Sequence, residues 1–308
     1  MNPPIRPDSI SKAAADPNFT WQRGLWVFLI PALAAYAGFV VAPVAESFRL
    51  SLYRWPNAVS EPVFNGLGHF ARLAHDPIFW RALLHNVLLV AMSLVVQLPL
   101  AVLLAVLLSY PIRGRWVFRT VFFAPMIVPT VAIAVLWSYI YLPEYGLLDR
   151  IIRWFAPDFA GAWLSDPRTA LPCVFIAICW RYTGFHMVLF MAGIASIPEE
   201  LYEAARIDGA SEWQAFKRIT LPLLGPTFRV SAVLSVIGSL KYFDLVYLMA
   251  RGAPKEAREL LATYVFRKAF KGDVGRYGYG SAIAVVLFLA ALFAGVLITQ
   301  LARRRREA

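Results

Sequence analysis

The chain has 308 residues, of which 59% are hydrophobic and only 16% are charged, and its formal net charge is +11. The apolar residues gather in long blocks rather than alternating with polar ones, which argues against both a soluble globular chain and a barrel of short strands. The basic residues cluster beside the ends of these blocks. Lipid headgroups attract cationic residues there, so the net charge does not indicate nucleic acid binding.

Six blocks are long enough to cross a bilayer as helices, because about 20 apolar residues span its hydrocarbon core. Three of the predicted spans contain no charged residue, and the first contains only Glu46, near its end. The fourth contains Arg181, and the fifth contains Arg229, Lys241 and Asp244. We therefore predict an all-α integral membrane protein with six transmembrane helices. The predicted spans are residues 25–48, 83–110, 120–142, 170–197, 222–250 and 278–301.

The two ends of the chain are predicted to be tails. Residues 1–24 are polar and rich in proline, and residues 303–308 are basic. The first apolar block is too long for the core of a signal peptide and lacks a clear cleavage site, so we expect it to remain as a span. The Lys and Arg residues are almost equally divided between the two sides, and their local density only weakly favours both termini inside.

Residues 146–155, between the third and fourth spans, form an amphipathic pattern. Their apolar side chains fall on one helical stripe, with Asp149, Arg150 and Arg153 opposite. This pattern predicts a short helix in the outer membrane interface. We favour a structural role for it over contact with a substrate.

The connection at residues 198–221 carries stronger signals. Two glutamates follow Pro198 and suit the positive end of a helix dipole, and Gly209 suits the end of that helix. Ser211 with Gln214 three residues later forms a capping box for a second helix. The sequence therefore predicts a helix, a glycine turn and a helix, which could dock in a groove of a partner. An ordinary amphipathic connector is the alternative.

Three segments of this connection form a recognisable signature. Glu203-Ala204-Ala205 is followed by Asp208-Gly209 and then by Ile219-Thr220-Leu221-Pro222. The order and spacing resemble the EAA motif of binding-protein-dependent ABC importer permeases. By this resemblance the two helices insert into a cleft of a cytosolic ATPase, with Glu203 facing that subunit. The implied ATPase-coupling residues are Glu203, Ala204, Ala205, Asp208, Gly209, Ile219, Leu221 and Pro222.

Further segments resemble the carbohydrate branch of this family, which includes the maltose and glycerol-phosphate permeases. They are residues 124–137, Tyr145-Gly146-Leu147-Leu148, Lys241-Tyr242-Phe243-Asp244 and Gly280-Ser281-Ala282-Ile283. The Phe243-Asp244 pair is more like the first of the two permeases in such systems. One segment departs from the family, because Ala250-Arg251-Gly252-Ala253-Pro254 stands where a Thr-x-Gly-Gly-Pro run is common.

The resemblance implies a type I ABC importer permease fold, with an ABC transmembrane type-1 domain at residues 82–302. It also implies a bacterial cytoplasmic membrane, with both termini in the cytoplasm. The expected partners are a second homologous permease, a cytosolic ABC ATPase dimer and an extracytoplasmic substrate-binding protein. No Gly-x4-Gly-Lys-Ser/Thr loop occurs in the sequence, so ATP and Mg²⁺ are expected in the ATPase and no cofactor or catalysis in this chain. The implied cargo is a sugar, or failing that a polyol or glycerol-phosphate.

Ionisable residues inside spans are functional candidates by default. For Arg181 we weigh a polar pathway and structural pairing equally. For Lys241 and Asp244 we favour mutual neutralisation on one helix. The hydroxyl and small residues of the fifth span share a stripe, for which helix packing is favoured over a sugar path. The candidate pathway residues are Arg181, Ser235, Ser239, Tyr242 and Asp244.

Two other functions compete with this prediction. An ion-coupled secondary transporter needs carboxylates deep in its spans, and only Glu46 and Asp244 come close. A membrane enzyme needs a metal cluster or a nucleophile with its base, and neither stands out. The two cysteines, Cys173 and Cys179, have neither a disulfide framework nor a metal-ligand spacing, and we assign them to packing.

Overall fold

The computed structural model describes residues 21–55, 60–157, 159, 161–249, 259–271 and 276–307. The chain divides into two compact units, Met1–Arg49 and Leu50–Ala308. The departure from the family at residues 250–254 lies outside the described residues, as do the first 20 residues and the side chains of the basic C-terminal tail.

Helices make up most of the described chain, in agreement with the predicted all-α class. In chain order they are α1 (Trp21–Tyr36), α2 (Ala42–Ser51), α3 (Gly68–Ala74), α4 (Pro77–Met92), α5 (Leu98–Ser109), α6 (Arg115–Ile127), α7 (Thr130–Ile140), α8 (Leu147–Arg153), α9 (Pro167–Ala195), α10 (Glu199–Ile207), α11 (Glu212–Ala215), α12 (Leu221–Leu223), α13 (Gly225–Lys241), α14 (Asp244–Met249), α15 (Leu261–Phe270) and α16 (Tyr277–Glu307). The π-helical segments are Ala37–Val41, Ser93–Gln97 and Phe216–Thr220. The antiparallel strands are β1 (Tyr53–Arg54) and β2 (Val63–Phe64).

Four stretches of the described chain are long and apolar enough to cross a membrane as single helices. They are Leu29–Ser51, Pro77–Ser109, Pro167–Ala195 and Tyr277–Gln300. Two bent pairs also qualify, namely α6 with α7 and residues 212–223 with α13. Counting each bent pair as one span gives six, which agrees with the predicted number.

The third predicted span, residues 120–142, is two helices rather than one. Helices α6 and α7 meet at an angle of 101°. Val128 adopts an extended conformation and Pro129 follows it. Proline disfavours helical geometry in the residue before it and has no N–H to donate, so the chain turns at this dipeptide. The break leaves the first N–H groups of α7 without partners inside that helix, in the middle of the span.

The fifth predicted span, residues 222–250, is also interrupted. Pro222 precedes a bend of 62° near Leu224, so the long helix begins at α13 and not at the proline. Tyr242 then leaves helical geometry, with φ −58° and ψ 120°. Lys241 ends α13 and Asp244 begins α14, so the prediction that both lie on one helix is wrong. Within the described residues no ion pair joins them.

Helix α9 lies in the core of the second unit and packs against α5, α6 and α13. Its Gly184 lies against the backbone of α6, because a Cβ atom there would come within 1.9 Å of the Phe122 carbonyl oxygen. Only glycine allows the two helices to approach this closely. The wall that α9 forms is therefore fixed by backbone contact as well as by side-chain packing.

Asp76 joins the start of α4 to two distant helices. Its carboxylate accepts hydrogen bonds from the N–H groups of Ile78 (3.0 Å) and Phe79 (3.4 Å), from the Tyr279 hydroxyl (2.5 Å) and from the Tyr264 hydroxyl. Burial raises the pKa of this carboxyl, but the tyrosine and backbone hydrogen bonds outweigh burial and hold the pKa below its ordinary value. The first turns of α4, α15 and α16 are thereby tied together.

The amphipathic connection contains helix α8, as predicted, but one residue of its polar face points inwards. Asp149 is fully buried and accepts hydrogen bonds from the Glu144 N–H (2.8 Å), the Gly161 N–H (3.1 Å) and the Trp163 indole. Asp149 lies opposite the apolar stripe, as predicted, but helical periodicity does not predict its burial, which arises because the carboxylate satisfies loop N–H groups that would otherwise be unpaired. The apolar side of α8 is exposed, since Leu147 is 57% accessible.

Candidate functional site

A cavity of about 350 Å³ lies in the second unit among the second to fifth spans. Its lining comes from the π segment Ser93–Gln97, from the α6–α7 break, from α9 and from the α13–α14 break. The structure places all five candidate pathway residues around this one cavity. These residues are Arg181, Ser235, Ser239, Tyr242 and Asp244.

Three irregular segments bring polar groups to this cavity. The π segment at Ser93–Gln97 widens the second span, and the two helix breaks contribute Thr130 and Tyr242 to the lining. Within membranes, irregular backbone is tolerated where it is buried in protein or lines a polar cavity. Isolated π segments are also frequent at functional sites. The positions of the irregularities therefore mark the cavity as a polar site.

Several polar atoms around the cavity lack hydrogen-bond partners. Among the described residues these include Gln97 Nε2, His186 Nδ1, Ser235 Oγ and Arg181 Nε. The first three side chains are only 2%, 4% and 6% exposed, respectively. A buried polar group without a partner costs about 1–3 kcal/mol. A molecule with several hydrogen-bonding oxygens would remove these costs on entering the cavity.

Arg181 supplies a partly buried cationic group, of which the Nε atom is fully buried. Its Nη1 donates to the Thr130 hydroxyl at 2.6 Å, and its guanidinium carbon lies 5.2 Å from the centre of the Tyr182 ring. No carboxylate of the described residues forms an ion pair with it. Lys241 and Asp244 also line the cavity, and both are exposed.

The second span contributes polar residues to the cavity that were not predicted from the sequence. Asn86 donates from Nδ2 to the Ser239 carbonyl oxygen (3.1 Å) and accepts at Oδ1 from the Leu261 N–H (2.9 Å). Ser93 Oγ lies 3.2 Å from Ser239 Oγ, and Gln97 lines the cavity. Ser93 follows Asn86 by seven positions, and Gln97 follows Ser93 by four, all within an uncharged block. This spacing places the three residues on one helix face. That pattern was the available signal.

The second candidate region is the connection at residues 199–223, called the hook below. Gly209 has φ +75°, a left-handed conformation that favours glycine. Its N–H donates to the Arg206 carbonyl (3.0 Å), while the Ala210 N–H donates to the Ala205 carbonyl (2.9 Å). These two bonds form the Schellman motif that closes a helix C-terminus. The predicted glycine turn after the first helix is confirmed.

The second helix of the hook begins as predicted. Ser211 Oγ accepts from the Gln214 N–H (3.3 Å), and the Gln214 side chain accepts from the Ser211 N–H (2.8 Å), which completes a capping box. At the next residue, Glu212 accepts a hydrogen bond from the hydroxyl of Tyr110, which directly follows α5 (3.0 Å). The hook is thus internally closed and attached to the second span.

Most residues of the predicted signature lie on the surface of the hook. Glu203, Ala204, Asp208, Gly209, Leu221 and Pro222 are exposed, whereas Ala205 and Ile219 are partly buried. Two large apolar side chains, not singled out from the sequence, are also exposed: Ile207 by 87% and Trp213 by 69%. A helical surface with carboxylates and uncovered apolar side chains is suited to docking against another protein.

The described residues contain no group of three or more His, Cys, Asp or Glu side chains that could hold a metal ion. Cys173 and Cys179 are buried in α9 without a disulfide, and both belong to its hydrophobic cluster. Neither cysteine lies in the cavity lining.

Comparison with known proteins identifies the family. Residues 97–307 match the binding-protein-dependent transport system inner membrane component family. The chain belongs to this family. The matched region begins later than the predicted domain at 82–302 and includes the hook and the last four spans. The chain is therefore a multi-pass inner-membrane permease.

Named relatives support the same conclusion. A probable ABC transporter permease of Bacillus subtilis, YurN, is 38% identical over 87% of this chain and 91% of its own length. The trehalose/maltose transport system permease MalF of Thermococcus litoralis is 33% identical over 92% and 94%. This similarity places the permease in the carbohydrate branch, as predicted.

A solved structure confirms the fold of the permease. It is a bacterial alginate ABC transporter in complex with an alginate pentasaccharide-bound periplasmic protein. One of its chains matches with a TM-score of 0.80 and 25% identity, over 92% of the permease and 95% of that chain. The predicted type I ABC importer permease fold is thereby confirmed.

Proposed function

We propose that this permease imports a sugar or sugar-like solute through the cavity at Arg181, in a complex driven by a separate ATPase. The observation that carries the proposal is the set of buried polar atoms without partners around the cavity. Sugars present many hydroxyl oxygens, each of which can donate and accept, so a sugar can satisfy such a set. The relatives named for trehalose, maltose and alginate support this cargo class.

The permease is proposed to act with three kinds of partner. A second homologous permease would form the other half of the pathway, and an extracytoplasmic binding protein would deliver the solute. A cytosolic ATPase dimer would bind ATP and Mg²⁺, so that this chain needs no cofactor and is not itself an enzyme. Both termini would then lie in the cytoplasm, on the side of the hook.

The hook is proposed to transmit movement from the ATPase to the spans. Its two helices have closed ends and expose Glu203, Ile207 and Trp213, which leaves these side chains available to a partner. The Tyr110–Glu212 hydrogen bond links the hook to the second span, which carries Gln97 of the cavity. A displacement of the hook would therefore reach the cavity through continuous helices. Alternating access to the cavity would follow from that displacement.

Reconstitution of the complete complex in proteoliposomes tests the function. Solute-loaded binding protein is supplied outside, ATP is enclosed, and uptake is compared between the native ATPase and a catalytically inactive ATPase. We expect uptake only with the active ATPase. Uptake that persists without ATP hydrolysis and follows an imposed proton or sodium gradient would instead establish the ion-coupled secondary transporter.

Glu203→Lys tests the coupling role of the hook. The side chain is exposed, so we expect normal membrane insertion and folding, with at least about tenfold less ATPase retained on the purified permease, because a reversed charge in an interface costs a few kcal/mol. Glu203→Gln, which removes the charge without reversing it, is expected to retain more. Full ATPase retention and normal uptake by Glu203→Lys would contradict the coupling role.

A further inference from the structure

The cation at Arg181 has no counter-ion in the described part of the chain. Its guanidinium binds the neutral Thr130 hydroxyl and lies over the Tyr182 ring, while Nε is buried without a partner. A membrane-embedded arginine normally faces a polar cavity or pairs with a carboxylate or a backbone carbonyl, since a buried charge without compensation is costly. Asp244 shares the cavity, but no ion pair joins the two residues. Among the described residues, the positive charge of Arg181 therefore has no ion-pair partner.

The unpartnered groups near this charge include a second atom that can only donate. Gln97 Nε2, like Arg181 Nε, carries hydrogens and cannot accept. His186 Nδ1 and the Ser235 hydroxyl can adapt as donor or acceptor. The unpartnered atoms of the lining therefore favour a group that is rich in acceptors. An ionised oxyanion is such a group, and a guanidinium binds oxyanions through paired N–H donors.

The other charged residues of the lining do not remove this preference. Lys241 is also cationic, and Asp244 is the single anionic side chain among the lining residues. Both are exposed, so water compensates their charges more fully than the charge of Arg181. The lining as a whole has an excess of positive charge, and its least hydrated charged group is Arg181.

We propose that the cargo of this permease carries an oxyanion, such as a carboxylate, sulfonate or phosphate ester, which pairs with Arg181 during passage. This rests on the proposed function, because it assumes that the cargo passes through the cavity. A sugar acid or sugar ester would satisfy Arg181 with its oxyanion and the remaining polar groups with its hydroxyls. A neutral sugar would leave the arginine uncompensated.

A cysteine placed at Gly238 tests this proposal without knowledge of the natural cargo. Gly238 lines the cavity, and a Cβ atom there meets no atom within 4 Å, so Gly238→Cys is expected to fold normally. The complete complex is placed in lipid nanodiscs, and methyl methanethiosulfonate, a small neutral reagent, modifies the introduced thiol. Mass spectrometry of the peptide that contains position 238 gives the rate. Glucuronate and glucose, which differ by one carboxylate, are compared as protecting agents.

Glucuronate is expected to protect at about tenfold lower concentration than glucose, the factor expected from one charge-assisted hydrogen bond. Arg181→Gln should remove this difference, and Arg181→Lys, which keeps the charge, should retain part of it. Lys241→Gln is the matched control and should keep the difference. Equal protection by the two sugars, including no protection by either, would overturn the proposal.

Two further outcomes would also overturn the assignment to Arg181. One is a preference for glucuronate that survives in Arg181→Gln, and the other is a preference lost equally in Arg181→Gln and Lys241→Gln. The proposed function is judged separately by ATP-dependent uptake in proteoliposomes. A complex that imports solute but shows no carboxylate preference at position 238 would retain the function and reject the oxyanion.

Discussion

In the hook, the backbone groups at the glycine turn and at the capping box find their partners within the chain, while Ile207 and Trp213 face outwards. In the cavity the situation is reversed. Apolar side chains of the surrounding helices pack against one another, while Gln97, His186 and Ser235 are buried with polar atoms that have no partner. One region has satisfied polar groups and uncovered apolar surface, and the other has covered apolar surface and unsatisfied polar groups.

The difference indicates what each region binds. Exposed apolar surface on helices with capped ends is stabilised by another protein, whose own apolar side chains can cover it. Unsatisfied buried polar groups are stabilised by a small polar molecule that can enter and leave. Substitutions that alter the backbone shape of the hook should therefore impair uptake. In the cavity, substitutions that remove hydrogen-bonding groups should impair it. The variants below test that division, from the largest expected effect to the smallest.

Gly209→Pro should abolish uptake while leaving membrane insertion intact. Proline fixes φ near −65°, whereas Gly209 has φ +75° and donates its N–H to Arg206, so the turn cannot form. The cost is about 3 kcal/mol or more, which corresponds to at least about a hundredfold loss of uptake. ATP-dependent uptake and the amount of inserted permease are measured together.

Gly209→Asn is the matched control for the turn. Asparagine tolerates the left-handed conformation better than other residues with side chains, so uptake should stay within about threefold of the native rate. Normal uptake by Gly209→Pro would show that the shape of the hook is not required. A hook that fails with asparagine and proline alike would indicate that the glycine surface itself is contacted.

Gly184→Ala tests whether the wall of the cavity depends on close backbone contact. The added Cβ would lie 1.9 Å from the Phe122 carbonyl oxygen, so α6 or α9 must shift. We expect a loss of about 1–3 kcal/mol in stability, measured by thermal unfolding of the purified permease. Gly238→Ala is the control, since its Cβ meets open space and alanine favours a helix by about 0.5–1 kcal/mol. Equal melting temperatures for the two variants would contradict the packing of α6 on α9.

Ser235→Ala should make the permease more stable and a poorer transporter. Removing an unpartnered buried hydroxyl relieves a cost of about 1 kcal/mol, but it also removes a group available to the cargo. Ser231→Ala is the matched control, because Ser231 Oγ is likewise buried and unpartnered but does not line the cavity. Both variants should have a higher melting temperature than the native permease, and only Ser235→Ala should lower the kcat/KM of uptake. An identical effect of both on uptake would assign the stripe to helix packing.

The sequence allowed accurate prediction where one residue dictates the local backbone. Gly209 and the Ser211–Gln214 pair have conformations that few other residues adopt, and the hook formed as predicted. The assignment as a membrane protein also followed from composition, because apolar blocks of this length are typical of transmembrane helices. A charge or a hydroxyl inside a span is conspicuous in the sequence, and the five residues proposed on that ground all line the cavity.

Prediction failed where three-dimensional packing decides. The break at Tyr242 separates Lys241 from Asp244. The sequence does not indicate this break, because tyrosine is also found inside helices. The burial of Asp149 could not be predicted either, because helical periodicity indicates that it lies on the polar face of α8 but not that loop N–H groups surround it. Asn86 and Gln97 were overlooked because each is a single uncharged polar residue in a strongly apolar block.

The carboxylate of Asp76 bears on the order in which the protein is completed. Two of its donors are backbone groups in the adjacent turn, but the other two, Tyr264 and Tyr279, are synthesised 188 and 203 residues later. During synthesis the Asp76 carboxylate can therefore form only its two backbone hydrogen bonds until the two tyrosines have been added. The other two hydrogen bonds form only after α15 and α16 have been synthesised and have packed near the start of α4. The complete set of four hydrogen bonds therefore requires the final span.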